Sequence, residues 1–280
     1  METQIDNEIS KNQIAFDFEQ IEMEEESSTL SLVSQKNIDW IAEEVLFVLV
    51  KAKHEQFIKN LPDFKLLGKS MLEWVLMAGN HCQTIVIEQE QNMLERLKTI
   101  QTDKKIMAVF YSDTPLLDKT LFNEILNYFA VKGYNALKLL RGEVFRVDYL
   151  KSLTEFAQSP NSKFSTLALE PVDNGKMLVC CYRELKKKIQ NYHVKNGVMI
   201  FDEAACIDAD AEIEAGVAIY GNSRVEGQSV ICSGTVLKDA LIKDSIIGKN
   251  CLIENSYIEK SKISDGKIVC AYTKIENMSV

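Results

Sequence analysis

Few residues in this chain are of the reactive kind. The seven cysteines, Cys82, Cys180, Cys181, Cys206, Cys232, Cys251 and Cys270, include no C-x-x-C spacing. An odd count without that spacing reads as free thiols in a reducing cytosol. His54, His81 and His193 are too scattered for a zinc set. What remains is charge beside apolar segments. Lys53, Lys59 and Lys65 follow the run 45–50, Asp113 follows the run 106–111, and Asp173 and Asn174 precede a long helical pattern. Such side chains offer positive charge and oxygen ligands. Read by position alone, the lysines are solvated on a loop. Asp113 caps the Asp-Thr-Pro turn, and the Asp173-Asn174 pair caps a helix.

These residues must be positioned by the elements around them. The continuous apolar runs 45–50 and 106–111 read as strands buried on both faces. Between and after them the patterns alternate. Helices are expected over 70–78, 91–100, 118–131, 148–158 and 177–195, with Asp118 and Asp148 as N-caps and Gly79, Gly133 and Gly197 as stops. Further strands are expected over 84–87, 136–140, 143–147, 166–169 and 198–201. The alternation implies an α/β domain with a mostly parallel sheet and helices on both faces, whose ligands sit at the carboxyl ends of the strands. Residues 1–37 are acidic and weakly patterned, and read as a disordered arm or one loose helix. The α/β domain then covers 38–197 and a second unit covers 198–280.

The second unit has its own period. An aliphatic residue recurs every six positions at Ile207, Ile213, Ile219, Val225, Ile231 and Leu237. The step then shortens mostly to five, through Ile242, Ile247, Ile253, Ile258, Ile263 and Ile268. Neither a plain strand nor a helix has this period, but a triangular solenoid of short parallel strands does. About four coils over 205–268 are expected, with Ile213, Ile231, Ile247 and Ile263 stacked inside. Tyr220, Val230, Val236, Leu252 and Tyr257 then point outward.

The net charge of −9 argues against a nucleic-acid surface. No stretch reaches the length of a membrane span, and the N-terminus is not a signal peptide, so a cytoplasmic location without membrane contact is expected.

The solenoid phrasing looks like the left-handed β-helix of hexapeptide-repeat proteins. The segment 193–213, with His193-Val-Lys-Asn-Gly-Val-Met-Ile-Phe-Asp and Cys206-Ile-Asp-Ala-Asp-Ala-Glu-Ile, resembles the junction in one family. That is the bacterial bifunctional N-acetylglucosamine-1-phosphate uridyltransferase/glucosamine-1-phosphate acetyltransferase family. Gly68-Lys69-Ser70-Met71-Leu72-Glu73-Trp74-Val75 resembles its G-K-P-M-L-x-x-V, and Tyr111-Ser112-Asp113-Thr114-Pro115-Leu116 its Y-G-D-x-P-L. The resemblance covers roughly 40–268 with large gaps. It implies a nucleotidyltransferase (Rossmann-like) domain followed by a short left-handed parallel β-helix. It also implies a reaction in which a sugar-1-phosphate attacks a nucleoside triphosphate and pyrophosphate leaves.

That resemblance gives the charged residues roles. Asp113 stands at the family's first Mg²⁺ ligand, and Asp173, or Asn174 in its place, near the second. Lys53, Lys59 and Lys65 could offset phosphate charge. The departures are as informative. The family's G-x-G-T-x-M loop is here Ala52-Lys53-His54-Glu55-Gln56-Phe57, with Gln56 where the catalytic arginine would stand. An amide cannot supply that charge. The uridine-reading motif has no match, and only Arg141-Gly142-Glu143-Val144-Phe145 stands where the sugar-binding segments should be. The solenoid holds no histidine for an acetyltransferase. Three readings follow. The first is a catalytically degenerate pseudoenzyme that binds a nucleotide or sugar phosphate, or acts in assembly. The second is an active Mg²⁺-dependent nucleotidyltransferase with an unusual loop. The third, ranked last, is an acyltransferase. The resemblance also implies a homo-oligomer, a trimer first, unless the N-terminal arm or the tail 269–280 covers the outward apolar residues.

Overall fold

The computed structural model describes residues 43–53, 57–58, 60–157 and 159–280. The acidic arm, His54, Glu55, Gln56 and Lys59 lie outside them. The chain forms an α/β domain followed by a left-handed parallel β-helix.

Strand β1 (Val45–Lys51) is central because its side chains are apolar on both faces. Val45, Phe47 and Leu49 enter one core, and Leu46, Val48 and Val50 the other. The remaining elements are a short hairpin β2 (Lys65–Leu66) and β3 (Lys69–Ser70), α1 (Met71–Ala78), β4 (Gln83–Glu88) and α2 (Met93–Lys98). They continue with β5 (Ile106–Tyr111), α3 (Lys119–Lys132), β6 (Ala136–Leu139), β7 (Gly142–Arg146) and α4 (Val147–Ser152). The main sheet runs β4-β1-β5-β7-β6. Residues of α1 and α3 cover one face, and residues of α2 and α4 the other.

Several expectations change here. The sheet is mixed: four strands run one way, β4-β1 and β1-β5 pairing parallel, and β7 alone runs against them, pairing antiparallel with β5 and β6. The cause is the two-residue turn Leu140-Arg141, too short for a parallel crossover. Gly79 closes α1 at φ −107, outside the left-handed region. Its reason is space, since a Cβ there would lie 2.4 Å from the Phe47 ring. Helix 148–158 stops at Ser152, because Leu153 is extended, and Asp148 is not its cap. The expected strand 166–169 is a 3₁₀ turn, Leu167–Leu169. Asp118 does cap α3, accepting from the Leu121 amide at 3.0 Å, and Gly133 ends it in the left-handed region.

Helix α5 (Gly175–Lys195) joins the two parts. Its buried residues Cys181, Leu185, Ile189 and His193 recur every four positions and face the first coil. Gln190 Nε2 donates to the Ala205 carbonyl at 2.8 Å, and Lys188 Nζ reaches Asp118 at 2.6 Å. One apolar core runs from Leu61, Met71 and Trp74 through α5 into the solenoid.

The solenoid has three parallel sheets of five, five and four strands. Ile207, Val225, Ile242, Ile258 and Ile275 align in one, and Ile213, Ile231, Ile247 and Ile263 in another. The third aligns Ile200, Ile219, Leu237, Ile253 and Val269. The expected inward Ile268 is therefore displaced by Val269; Ile268 is 69% exposed and Val269 is 6%. The corner explains the slip. Every side that leaves the Ile213 column carries a left-handed residue three places on, at Gly216, Gly234, Asn250 and Gly266, and spans six residues. The five-residue sides carry theirs two places on, at Asp239, Asp244, Asn255 and Lys260. The coil also continues past 268, through Ile268–Val269 and Lys274–Glu276, so the tail extends the solenoid rather than covering its face. Serine hydroxyls stack at one corner. Ser229 Oγ accepts from Ser245 N, Ser245 Oγ from Ser261 N and Ser261 Oγ from Met278 N, at 3.0–3.3 Å.

Two outcomes test this packing. Val269→Asp and Ile231→Asp should each bury an unpaired charge and lower the thermal midpoint sharply, while Ile268→Asp stays within about 0.5 kcal/mol of wild type. The second concerns acid. Burial pushes the His193 imidazole down to about 4 from 6.5, so the folded chain holds it neutral. Between those values the unfolded chain takes up a proton that the folded one refuses. Stability is then full above pH 6.5 and falls as pH drops toward 4, by up to ~3 kcal/mol. Urea midpoints at pH 7 and 4.5 should differ less in His193→Gln than in wild type.

Candidate functional site

The carboxyl ends of β1 and β5 lie side by side. The Ala52 amide donates to Ser112 Oγ at 2.9 Å, and the Ser112 amide to the Val50 carbonyl at 2.9 Å. That pairing leaves Lys53 and Asp113 one residue beyond the bond on adjacent chains. Ser112, Asp113 and Thr114 are fully buried. Thr114 closes the turn by donating its hydroxyl to the Tyr111 carbonyl at 2.9 Å.

The Asp113 carboxylate meets an arginine fork. Arg141 Nε lies 3.1 Å from each carboxylate oxygen, and its Nη2 lies 2.7 Å from Oδ2. The guanidinium also stacks over the Tyr111 ring, 4.0 Å from its centroid. Gly142 makes this possible. Its φ is +144, and a Cβ would lie 2.7 Å from the Val109 carbonyl oxygen, so only glycine lets the turn sit this close to β5. Burial pushes the Tyr111 hydroxyl up to about 12, with the Glu143 carboxylate adding to the shift.

The second acidic position is brought near through the backbone. The Val172 amide donates to the Asp113 carbonyl at 2.8 Å. Asp173 follows at once, but its side chain is exposed. Asn174 caps α5, accepting from the Met177 amide at 3.0 Å, and donates to Asp173 Oδ1 at 2.6 Å.

The lysines are dispersed. Lys53 is exposed, and its amide donates to Gln89 Oε1 at 3.0 Å. Lys65 is exposed on β2. Lys59 lies outside the described residues. The Gly68-Lys69-Ser70 segment faces the solenoid. The Leu67 carbonyl accepts from the Ala209 amide at 3.0 Å, Lys69 Nζ pairs with Asp210 at 2.5 Å, and Ser70 and Glu73 form a capping box.

A divalent cation needs several free oxygens converging on one point. Both Asp113 oxygens accept from Arg141, and a guanidinium beside them repels a cation. Among the described residues, no group of three or more His, Cys, Asp or Glu could hold a metal ion. The residues present do not fit Mg²⁺. Arg141 is the site residue that sequence reasoning passed over. Its one sequence signal is a two-residue turn, Leu140-Arg141, followed by Gly142, which says nothing of Asp113.

No family model matches the chain, and no curated protein matches it. Among solved structures it is similar to a cytidylyltransferase from Leptospira borgpetersenii serovar Hardjo-bovis (strain JB197). The identity is 11%, covering 54% of this chain and 93% of that one, with a TM-score of 0.40. A likeness that distant carries no argument about activity.

The fork makes a measurable claim. Arg141→Met leaves a buried carboxylate without its counter-charge and should cost about 3–5 kcal/mol in urea unfolding. The double variant Asp113→Asn with Arg141→Met should recover most of that loss.

Proposed function

We propose that this chain is a nucleotidyltransferase-like protein, related to UDP-N-acetylglucosamine pyrophosphorylases, that has lost catalysis and acts as a binding or assembly module. The observation that carries this reading is the Arg141 fork on Asp113. The carboxylate that the resemblance assigns to Mg²⁺ is neutralised from within the protein. The sequence supports it at the facing loop, where Ala52, His54 and Gln56 stand in place of glycines and an arginine. Ala52 also spends its amide on Ser112, so it does not offer that donor to a phosphate. Any bound nucleotide or sugar phosphate would sit at the ends of β1 and β5, near Lys53, without turnover.

Assembly is proposed from the outer surface of the solenoid. Met199, Ala218, Val236, Leu252 and Ile268 align in register along one sheet, each beside an inward residue. This outward column is apolar over five successive strands, with Ala218 already buried and Met199 and Ile268 exposed at its ends. A homo-oligomer, a trimer first, would remove it from water.

Loss of one transition-state charge contact costs roughly 3–4 kcal/mol, and here the loop's arginine and glycines are replaced and the Asp113 carboxylate is held by Arg141. Purified protein with Mg²⁺ should therefore release no pyrophosphate above background across nucleoside triphosphates and sugar-1-phosphates. Robust product formation that Asp113→Ala abolishes would overturn the reading. Light scattering should give a multiple of the 31.8 kDa chain mass, reduced to a single chain by Val236→Glu with Leu252→Glu.

A further inference from the structure

Helix α5 turns one face to the first coil and leaves the opposite face to solvent. Cys181, Leu185, Ile189 and His193 are its buried side. Lys176, Arg183 and Lys187 recur at helical spacing on the other side, and all three are exposed. Val179 and Val194 stand along the same side, 48% and 50% exposed. The helix carries six bases and one acid, Glu184. Two of the bases are engaged elsewhere: Lys186 Nζ donates to the Ala204 carbonyl at 3.2 Å, and Lys188 pairs with Asp118 at 2.6 Å. Lys176, Arg183 and Lys187 have no ion-pair partner among the described residues.

The complement of this stripe is in the same chain. Residues 1–42, outside the described residues, hold ten acids and two bases, and so carry eight of the nine net negative charges. Six of those acids fall within 17–26, a segment without a base, and Phe18, Ile21 and Met23 are interleaved with them. Acids beside apolar side chains match bases beside exposed valines. The tether is long enough. Glu43 sits at the start of β1, where its carbonyl accepts from Lys104 Nζ at 2.9 Å. α5 begins at the other end of the sheet, beside the Val172–Asp113 backbone bond. The seven residues of β1 span about 23 Å. The sixteen residues 27–42 reach up to about 55 Å when extended. A tether of that kind holds the segment at an effective concentration on the order of 1 mM, which a free acidic partner has to match.

We infer that the acidic segment 17–26 docks in cis along the Lys176, Arg183 and Lys187 stripe of α5. Its carboxylates face the three bases, and its apolar side chains rest on Val179 and Val194. The stripe lies apart from the Asp113–Arg141 pair, so the docking does not depend on what the strand ends bind.

Zero-length carbodiimide cross-linking tests this on the full chain, because it joins a carboxylate to a lysine only where the two are in contact. An equal mixture of ¹⁵N-labelled and unlabelled chains, read by mass spectrometry, separates links within one chain from links between two. Wild type should join 17–26 to Lys176 or Lys187, with both peptides carrying the same label. The yield should fall several-fold at 1 M salt, where the screening length is about 3 Å. Arg183→Gln, at an exposed position that cannot itself be linked, should lower the yield at both lysines about two- to fivefold, the size of one exposed ion pair. Replacing Glu24, Glu25 and Glu26 together by Gln should lower the yield from Asp17, Glu19 and Glu22. Four results would each overturn the inference: no link from 17–26 to α5, links to the exposed Lys132, Lys249 and Lys267 at the same yield, yields indifferent to Arg183→Gln, or links found only between differently labelled chains. The last would give the stripe to the arm of a second copy.

Discussion

A carboxylate with no solvent exposure has to be neutralised by the protein itself, and Asp113 is such a carboxylate. Its counter-charge, Arg141, comes from a hairpin turn 28 residues away in sequence. Much of the domain is arranged to deliver it. β7 runs antiparallel beside β5, Gly142 removes the Cβ that would hold the turn away, and the Tyr111 ring offers the guanidinium a face. The Asp113 carbonyl then receives the Val172 amide, which sets where α5 begins. A buried ion pair contributes little net stability, yet losing one partner is costly. Such a pair fixes an arrangement more than it strengthens one. Here the arrangement it fixes turns both oxygens of a buried carboxylate toward a guanidinium.

The same economy governs the join between the two parts. The segment that resembles the start of the family's G-K-P-M-L motif, Gly68-Lys69-Ser70, makes contact with the first coil. Gly68 in the left-handed region lies close against Asp208, the Leu67 carbonyl takes the Ala209 amide, and Lys69 takes Asp210. With α5 bonded to both sides and one apolar core running through the junction, the solenoid is a continuation of the domain's packing. A motif can thus keep its residues while its chemistry changes, because a lysine paired to an aspartate no longer offers its charge to a ligand.

The solenoid obeys a simpler rule. Stacked coils must repeat their register at the strand spacing, so inward residues align column by column. Length variation is absorbed only at corners, where one left-handed residue turns the chain. Five-residue sides carry theirs two places after the inward aliphatic; six-residue sides carry it two places on at Gly221 and Gly227 and three on along the Ile213 column. Buried serine and threonine hydroxyls meet the amides of the next coil there.

What the sequence determined by itself was whatever repeats or alternates locally. The period of the aliphatics specified the solenoid and its inner columns as far as Ile263, because each coil reads only its neighbours. The apolar runs specified β1 and β5, since a strand buried on both faces has no polar alternative. Asp118 and Gly133 bounded α3 by backbone needs that any helix has. Tertiary structure decided the rest. Ile268 and Val269 are equally apolar, and only the corner at Gly266 settles which one is buried. Gly79 is explained by the Phe47 ring, distant in sequence. The one reversed strand, β7, followed from how a two-residue turn folds back on the sheet. The pairing of Asp113 with Arg141 left no local trace at all: opposite charges far apart in sequence find each other only when burial makes solitude too costly for one of them.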